Sequence, residues 1–361
     1  MMSSPAEMYQ RLRSAIPVET GNYPYVCARV KAKKRWILSP DTYARYLRMG
    51  IPEIARSIGE GQYAEEVIAL GTKYSGVDLI EMATRNNLAK VFTQIYELSE
   101  GHLKDMISRY LDRWDVWNIK SILRGKFSGS TNDEIWETVV PAGSFTKEFL
   151  RSLLELDTVE EIIEGLAGTI YWDALKDAED EVKELGSLAP FEDALTHRYY
   201  SYLLEAIPPT IEPNVRFRNF IRREIDALNL KTLLRVRFED VEIKRDVFIE
   251  GGLQIPKEDL EGLIEAPLEQ VEAELKGTAF EAVLAPLLRE IEKKGLNEAI
   301  RTIEKIHLSR ASKYSHIHPL SILPVLDYFT RKEREVENIR IIARGKHAGL
   351  SEDVIKELLV I

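Results

Sequence analysis

A twelve-residue pattern occurs three times in this chain, at residues 115–126, 226–237 and 335–346. Aligned, the copies read acid, Asn, aliphatic, base, aliphatic, Arg and base, with Gly before the final base in two of them. The Asn residues of successive copies are 111 and 109 residues apart. Recurrence at a near-constant period indicates repeated supersecondary units, so the sequence predicts a threefold internal repeat.

Each copy lies in a Pro-free run rich in Leu, Ile, Lys, Arg and Glu, which predicts a helix with the acid and the Asn on one face. Asn is a poor interior helix residue because its amide competes for backbone groups, so we expect it to form a buried hydrogen bond between helices. A ligand-binding amide is the alternative, and it would require three separate sites. The two bases four residues apart repel each other unless an acidic helix or an anion lies opposite. The motif residues to which we assign a structural role are Asp115, Asn118, Lys120, Arg124, Asp226, Asn229, Lys231, Arg235, Glu335, Asn338, Arg340 and Arg344.

Composition narrows the class of protein. The 361 residues are 45% apolar and 30% charged, which is ordinary for a soluble protein with a sizeable core. The net charge of −10 argues against a nucleic-acid partner and against adsorption to an anionic membrane. The single cysteine, Cys27, fits a reducing compartment. Neither a signal-peptide core nor a run approaching about 20 apolar residues is found, so we expect membrane contact to be indirect, through protein.

The repeat extends beyond the motif. Residues 129–135 and 349–355 follow the first and third motifs at the same offset, and Thr131 and Ser351 have the positions of helix N-caps. Residues 159–171 share a sequence pattern with residues 268–280, and a looser copy of this pattern begins at Ile51. Ser39 is another predicted N-cap, and Gly101-His102 is a predicted helix break. Strand-like alternation is limited to residues 241–244.

The predicted fold is therefore all-α, with three tandem helical repeats. We place the first repeat at 1–126 with an N-terminal extension, the second at 127–237 and the third at 238–346. Residues 347–361 are predicted to form a C-terminal helix that starts a truncated repeat. Its apolar face must be buried, which favours repeats closed around a pseudo-threefold axis over an open stack.

Catalytic signatures are missing from the sequence. Gly125-Lys126 lacks the upstream glycine of a P-loop, and no H-E-x-x-H, G-x-S-x-G or C-x-x-C pattern occurs. His316 and His318 are the best metal candidates, but no third ligand lies near them in sequence. The basic run at residues 28–35 indicates a solvated helix face, with docking onto an acidic partner as the alternative. We predict no catalytic residue, no cofactor and no metal site.

The chain resembles the C subunit of the archaeal and bacterial A-type/V-type rotary ATP synthases, which is the counterpart of the d subunit of eukaryotic vacuolar ATPases. The resemblance lies in residues 118–126, 229–237 and 338–346, and also in 23–30 and 349–355. The middle copy departs from the pattern, with Val236 where the others have Gly125 and Gly345.

The resemblance implies a funnel-like protein with a central cavity. It implies a peripheral position on the cytoplasmic face of the cell membrane, on the proteolipid rotor ring. The cavity would receive the D and F subunits of the central stalk, and the chain would transmit torque without an active site. The alternatives are an open helical-repeat scaffold and, less favoured, an all-α enzyme. A compact shape would argue against the scaffold, and turnover by the pure chain would favour the enzyme.

Overall fold

A computed structural model describes residues 21–238, 246–291 and 295–361, in which helices are joined by turns and loops and no strand occurs. The predicted all-α class is confirmed within these ranges. The alternation at 241–244 and the first 20 residues of the N-terminal extension fall outside them. The helices are α1 (Tyr23–Lys34), α2 (Pro40–Arg48), α3 (Ile51–Gly59), α4 (Ala64–Leu70), α5 (Gly76–Glu97), α6 (Gly101–Leu111), α7 (Arg113–Phe127), α8 (Asn132–Trp136), α9 (Lys147–Leu154), α10 (Val159–Gly165), α11 (Trp172–Asp177), α12 (Glu179–Leu185), α13 (Ala189–Ala206), α14 (Glu212–Phe238), α15 (Lys257–Gly262), α16 (Leu268–Glu274), α17 (Glu281–Leu288), α18 (Leu296–Ile317), α19 (Leu323–His347) and α20 (Glu352–Leu358).

Three pairs of long helices dominate the structure, namely α5 with α6–α7, α13 with α14, and α18 with α19. The second member of each pair carries the repeated motif near its C-terminal end. Short helices precede each pair: α2–α4 before the first, α8–α12 before the second and α15–α17 before the third. The predicted break at Gly101 is confirmed, because α5 ends at Glu97 and Gly101 has φ +56. Glycine adopts this left-handed conformation without strain.

The predicted helix caps are also confirmed. Ser39 Oγ accepts a hydrogen bond from the backbone N–H of Thr42, and Ser351 caps α20 in the same way. Thr131 and Glu134 form a reciprocal capping box at the start of α8. These side chains satisfy N–H groups that have no partner within the helix, which is why each helix begins where it does.

The third motif helix, α19, packs against helices from the N-terminal part of the chain. It runs along α5 and contacts α1, α2 and α3. Its side chains Ile339 and Ile342 share an apolar cluster with Tyr43, Ile54 and Ile80. In the same manner, α14 shares a cluster with the segment that follows it in sequence, α15–α18. Each of these two motif helices is therefore buried against short helices as well as against long ones.

The long helices also meet one another through aromatic rings in the largest cluster. The ring of Tyr110 on α6 lies 6.1 Å from the ring of Phe220 on α14 and 6.1 Å from that of Phe329 on α19. Phe92 on α5 lies 4.3 Å from Phe329. This cluster joins all three helix pairs into one core.

Candidate functional site

Each motif Asn forms two hydrogen bonds with a single residue of a loop. The Asn118 amide donates to the Val140 carbonyl at 2.8 Å, and its oxygen accepts from the Val140 N–H at 2.7 Å. The expectation of a bond between helices was wrong. A helical residue bonds its own N–H and C=O within the helix, whereas a loop residue offers both groups to one side chain. The equivalent buried pairs are Asn229 with Ile249 and Asn338 with Val360.

The motif acid binds the next turn of the same loop. Asp115 accepts from the N–H groups of Ser144 and Phe145 at 2.8 and 3.1 Å. Burial raises the pKa of Asp115 to about 8, and the charge of Asp112 adds to the effect, while the two N–H groups oppose it. A Cβ atom on Gly143 would lie 2.2 Å from the Asp115 carboxylate, so only glycine fits. The second copy repeats this geometry with Asp226, Gly252, Leu253 and Gln254.

The third acid, Glu335, takes its partners from the N-terminal part of the chain. It accepts hydrogen bonds from the Leu38 N–H, from Gln62 and from the Tyr63 hydroxyl. Lys332 pairs with it at 2.8 Å, and both side chains are fully buried. Burial lowers the pKa of Lys332, and the charge of Glu335 opposes this. The ion pair lies within α19, and the bonds of its two members to Leu38, Gln62 and Tyr63 hold this helix to the segment between α1 and α4.

Five of the six bases at the first two basic positions of the motifs face an acidic or polar group on a long helix. Lys231 pairs with Glu304 on α18 at 3.0 Å, and Arg344 pairs with Glu81 on α5 at 2.8 Å. These acids offset the repulsion between bases four residues apart. Arg235 is exposed, and it has no ion-pair partner within the described residues. The remaining pairs are Lys120 with Thr196, Arg124 with Glu192 and Arg340 with Glu81.

The last base of each motif caps the C-terminal end of a short helix. Lys126 donates to the Leu154 carbonyl at 2.7 Å, at the end of α9. A cation at this position satisfies carbonyls that have no partner within the helix. The equivalent contacts are Arg237 with the carbonyls of Leu263, Ile264 and Ala266, and Lys346 with the Leu47 carbonyl in α2.

The motif glycine allows a short helix to approach closely. A Cβ on Gly125 would lie 2.3 Å from Ile135 Cγ1, and a Cβ on Gly345 would lie 2.7 Å from Ile355 Cγ1. The close packing of α8 and α20 therefore requires glycine. Val236 holds this place in the middle copy, and residues 239–245, which follow α14, lie outside the described ranges.

A cavity of about 510 Å³ lies between α5, α7, α18 and α19. Its wall includes the indoles of Trp114 and Trp117 and a mixture of cations and carboxylates. The charged lining residues are Arg85, Arg113, Arg334, Arg340, Glu81, Glu304, Glu333 and Glu337. With Trp117 38% exposed, this wall combines aromatic and ionic contacts that a polypeptide partner can use.

Three residues at the same repeat position meet beside this cavity. Arg113, Glu224 and Glu333 each lie two residues before the acid of their motif. Arg113 forms an ion pair with Glu224, and its other terminal nitrogen lies 3.8 Å from Glu333. The sequence analysis missed this trio, although its regular position before each motif was a readable signal.

The other candidate sites are the histidines at 316 and 318 and the single cysteine. His316 Nδ1 bonds the Ser312 carbonyl, and the described residues include no group of His, Cys, Asp and Glu that could hold a metal ion. Cys27 is buried, with Sγ 3.2 Å from the Ser321 carbonyl. Among the described residues, no helix combines the length and apolar character that crossing a membrane requires.

Replacing Asn118 with Leu is expected to destabilise the protein by about 1–3 kcal/mol, because the Val140 N–H would be left without a partner and the Val140 carbonyl would keep only its bond from the Ala142 N–H. Chemical denaturation of the wild type and the variant measures this change. Asn297→Leu, at an exposed position of α18, is the matched control and should leave stability nearly unchanged. Equal stability of Asn118→Leu and the wild type would contradict a structural role for this amide.

The comparisons with known proteins cover nearly the whole chain. A model of the ATP synthase (C/AC39) subunit family matches residues 26–358. The chain is 39% identical over 345 residues to the A-type ATP synthase C subunit of Methanococcoides burtonii, with 95% of each chain covered. It is 37% identical over 342 residues to the same-named protein of Haloferax volcanii, covering 94% of this chain and 98% of that one. The repeated helices, their shared contacts and these matches together establish that the chain belongs to the ATP synthase (C/AC39) subunit family.

Proposed function

We propose that this chain is the non-catalytic central-rotor component of an A-type rotary ATP synthase. In this role it links the central stalk, formed by the D and F subunits, to the proteolipid ring on the cytoplasmic face of the cell membrane. It transmits torque between ion translocation and ATP synthesis or hydrolysis. The relatives' shared name supports membership of the complex, and the other elements follow from the resemblance described above.

The observation that carries the proposal is that the first and third motifs make the same contacts: one base pairs with an acid and the last base binds a helix carbonyl. In the third motif these partners lie far away in sequence. In the first repeat, Arg124 pairs with Glu192 and Lys126 caps α9. In the third motif, Arg344 pairs with Glu81 and Lys346 binds the Leu47 carbonyl, nearly 300 residues away. We infer that the three repeats close around a pseudo-threefold axis. An open stack would leave the faces of its end units without such partners.

A closed body of this kind suits torque transmission. Torque reaches one partner from the other only if the body between them does not twist. Buried hydrogen bonds at Asn118, Asn229 and Asn338 hold each motif helix to its loop, and the bonds that Glu335 accepts from Leu38, Gln62 and Tyr63 hold α19 to the N-terminal part of the chain. Such satisfied buried polar groups favour a single rigid arrangement.

We propose that the cavity between α5, α7, α18 and α19 grips the stalk. Its tryptophans and arginines are the residue types that dominate protein interfaces. Its mixed charge supplies polar contacts of both signs, so its hold on the stalk should weaken as salt screens the exposed pairs. Trp117 is the most suitable probe because its indole lies in the cavity wall and its side chain is partly exposed.

Trp117→Ala is expected to weaken binding to a purified D–F stalk about tenfold, as the loss of one aromatic anchor typically costs on the order of 1–2 kcal/mol. Titration calorimetry of the whole chain with the stalk measures it. Trp36→Ala is the control, since Trp36 is 56% exposed and lies outside the cavity wall. Equal effects of the two substitutions would place the stalk elsewhere. ATP turnover by the pure chain would contradict the non-catalytic assignment.

A further inference from the structure

The Arg113–Glu224–Glu333 trio places one cation against two carboxylates where the three motif helices come together. The contact between Arg113 and Glu224 is a direct ion pair, whereas Glu333 lies 3.8 Å from the guanidinium. A repeat built from identical side chains would bring three like charges together here. The substitution of one base among two acids removes most of that repulsion but leaves one negative charge in excess.

The two carboxylates of the trio differ in the hydrogen bonds and charges that stabilise them. Glu224 also accepts a hydrogen bond from the Tyr200 hydroxyl. Burial disfavours its charge, but Arg113, His307 and Tyr200 together lower its pKa. Glu333 Oε1 is buried and has no hydrogen-bond partner within the described ranges. Burial raises the pKa of Glu333 to about 7, with Glu224 adding to this and Arg113 and Arg334 opposing it.

Among the residues that the structure describes, Arg113 and Arg334 are the cations that lower the pKa of Glu333. Arg334 on its own helix pairs with Glu304 at 3.1 Å. Burial lowers the pKa of His307 on α18, which disfavours the charged form of its ring. On the far side of α19, Lys34 pairs with Asp327 and Lys332 with Glu335.

From α6 and α13 the groups that face Glu333 are Tyr110, Tyr199 and Tyr200, whose pKa values burial raises. From α5 they are Glu81 and Arg85, which line the same cavity.

We propose that the trio is a proton-binding site, which holds one proton on Glu333 and releases it to the cavity as the pH rises. With the proton bound, Arg113 and Glu224 balance each other. After release, two carboxylates share one guanidinium, and the junction of the three motif helices is weakened. The proposal concerns this junction alone and does not require the rotor function proposed above.

The direction of the pH effect follows from the titrating groups. A carboxyl whose pKa is raised on folding stabilises the fold at low pH, and this stability is lost as the pH rises through about 7. Glu224 has a lowered pKa, so its contribution is constant in this range. His307, with a lowered pKa, acts in the opposite direction. Comparison of a variant with the wild type cancels the His307 contribution, because both proteins contain it.

The test compares the whole wild-type chain with Glu333→Gln. From about pH 6 to about pH 8, the unfolding equilibrium constant of the wild type should rise about tenfold relative to that of the variant. Infrared spectroscopy gives a second readout, the carbonyl band of a protonated carboxyl. The Glu333 band is taken as the difference between wild type and Glu333→Gln, because the buried Asp115 carboxyl, whose pKa is also raised, contributes equally to both proteins. This band should be present at about pH 6 and decrease as the pH rises through about 7.

Glu224→Gln separates the trio from a simple effect of burial. It leaves Arg113 to Glu333 alone, so the Glu333 band should disappear at a lower pH than in the wild type. Glu337→Gln removes a carboxyl of the cavity wall outside the trio and should leave the band and its titration unchanged. A wild type without the band at about pH 6, or an identical band in Glu333→Gln, would overturn the proposal. An unchanged titration in Glu224→Gln would also do so.

Discussion

Removing residues 347–361 is expected to destabilise the packing of α19 against the N-terminal helices. The segment contributes Ile355, Leu359 and Val360, each 0–3% exposed. At about 1.5–3 kcal/mol for each buried apolar side chain, their loss costs roughly 5–9 kcal/mol. The buried Asn338 amide would also lose both of its bonds to Val360. This cost is comparable with the total stability of a typical domain, about 5–15 kcal/mol.

Hydrogen exchange measures the effect of this deletion by region. We expect the backbone amides of α2, of α3 and of the part of α19 that faces α20 to lose protection, and those of α9–α11 to keep it. Val354→Ser is the matched control, because Val354 lies on α20 with 44% exposure and should tolerate the change. If α2 and α3 stayed fully protected after the deletion, the C-terminal segment would be dispensable for holding α19 against the N-terminal helices.

Glu335→Leu has the second large expected effect. It would leave the Lys332 ammonium buried with the Tyr63 hydroxyl as its remaining partner. Breaking a buried ion pair by removing one member typically costs about 3–5 kcal/mol, because an uncompensated charge stays in the core. Urea denaturation measures the loss. Glu337→Leu, two residues along the same helix, removes an acid whose surface pair with Arg340 is worth about 1 kcal/mol or less.

A double variant separates the charge effect from the shape effect. Lys332→Met with Glu335→Leu removes both charges, so it should recover much of the stability lost in Glu335→Leu. Recovery will be incomplete, since the N–H of Leu38 and the amide of Gln62 lose an acceptor. If the double variant were as unstable as Glu335→Leu, the cost would lie in packing and those lost hydrogen bonds. The ion pair would then have no special part in holding α19.

Local features of this protein were predictable from the sequence. Ser39, Thr131 and Ser351 mark helix starts because a hydroxyl at that position satisfies nearby backbone N–H groups, whatever surrounds it. The recurrence of the motif was likewise readable, since equivalent contacts at three places in the chain require equivalent residues there. Gly125 and Gly345 mark close approach for the same reason. These features depend on residues near one another in the chain.

The partners of the motif residues depended on the tertiary structure. The Asn amides bind loop residues, and nothing in the motif distinguishes a loop partner from a helical one. Glu335 and Arg344 bind Tyr63 and Glu81, more than 260 residues away, because α19 packs on the N-terminal helices. The Arg113–Glu224–Glu333 trio has meaning only where three helices bring equivalent positions together. Sequence thus determined which groups each repeat carries, and packing decided which of them are buried against one another.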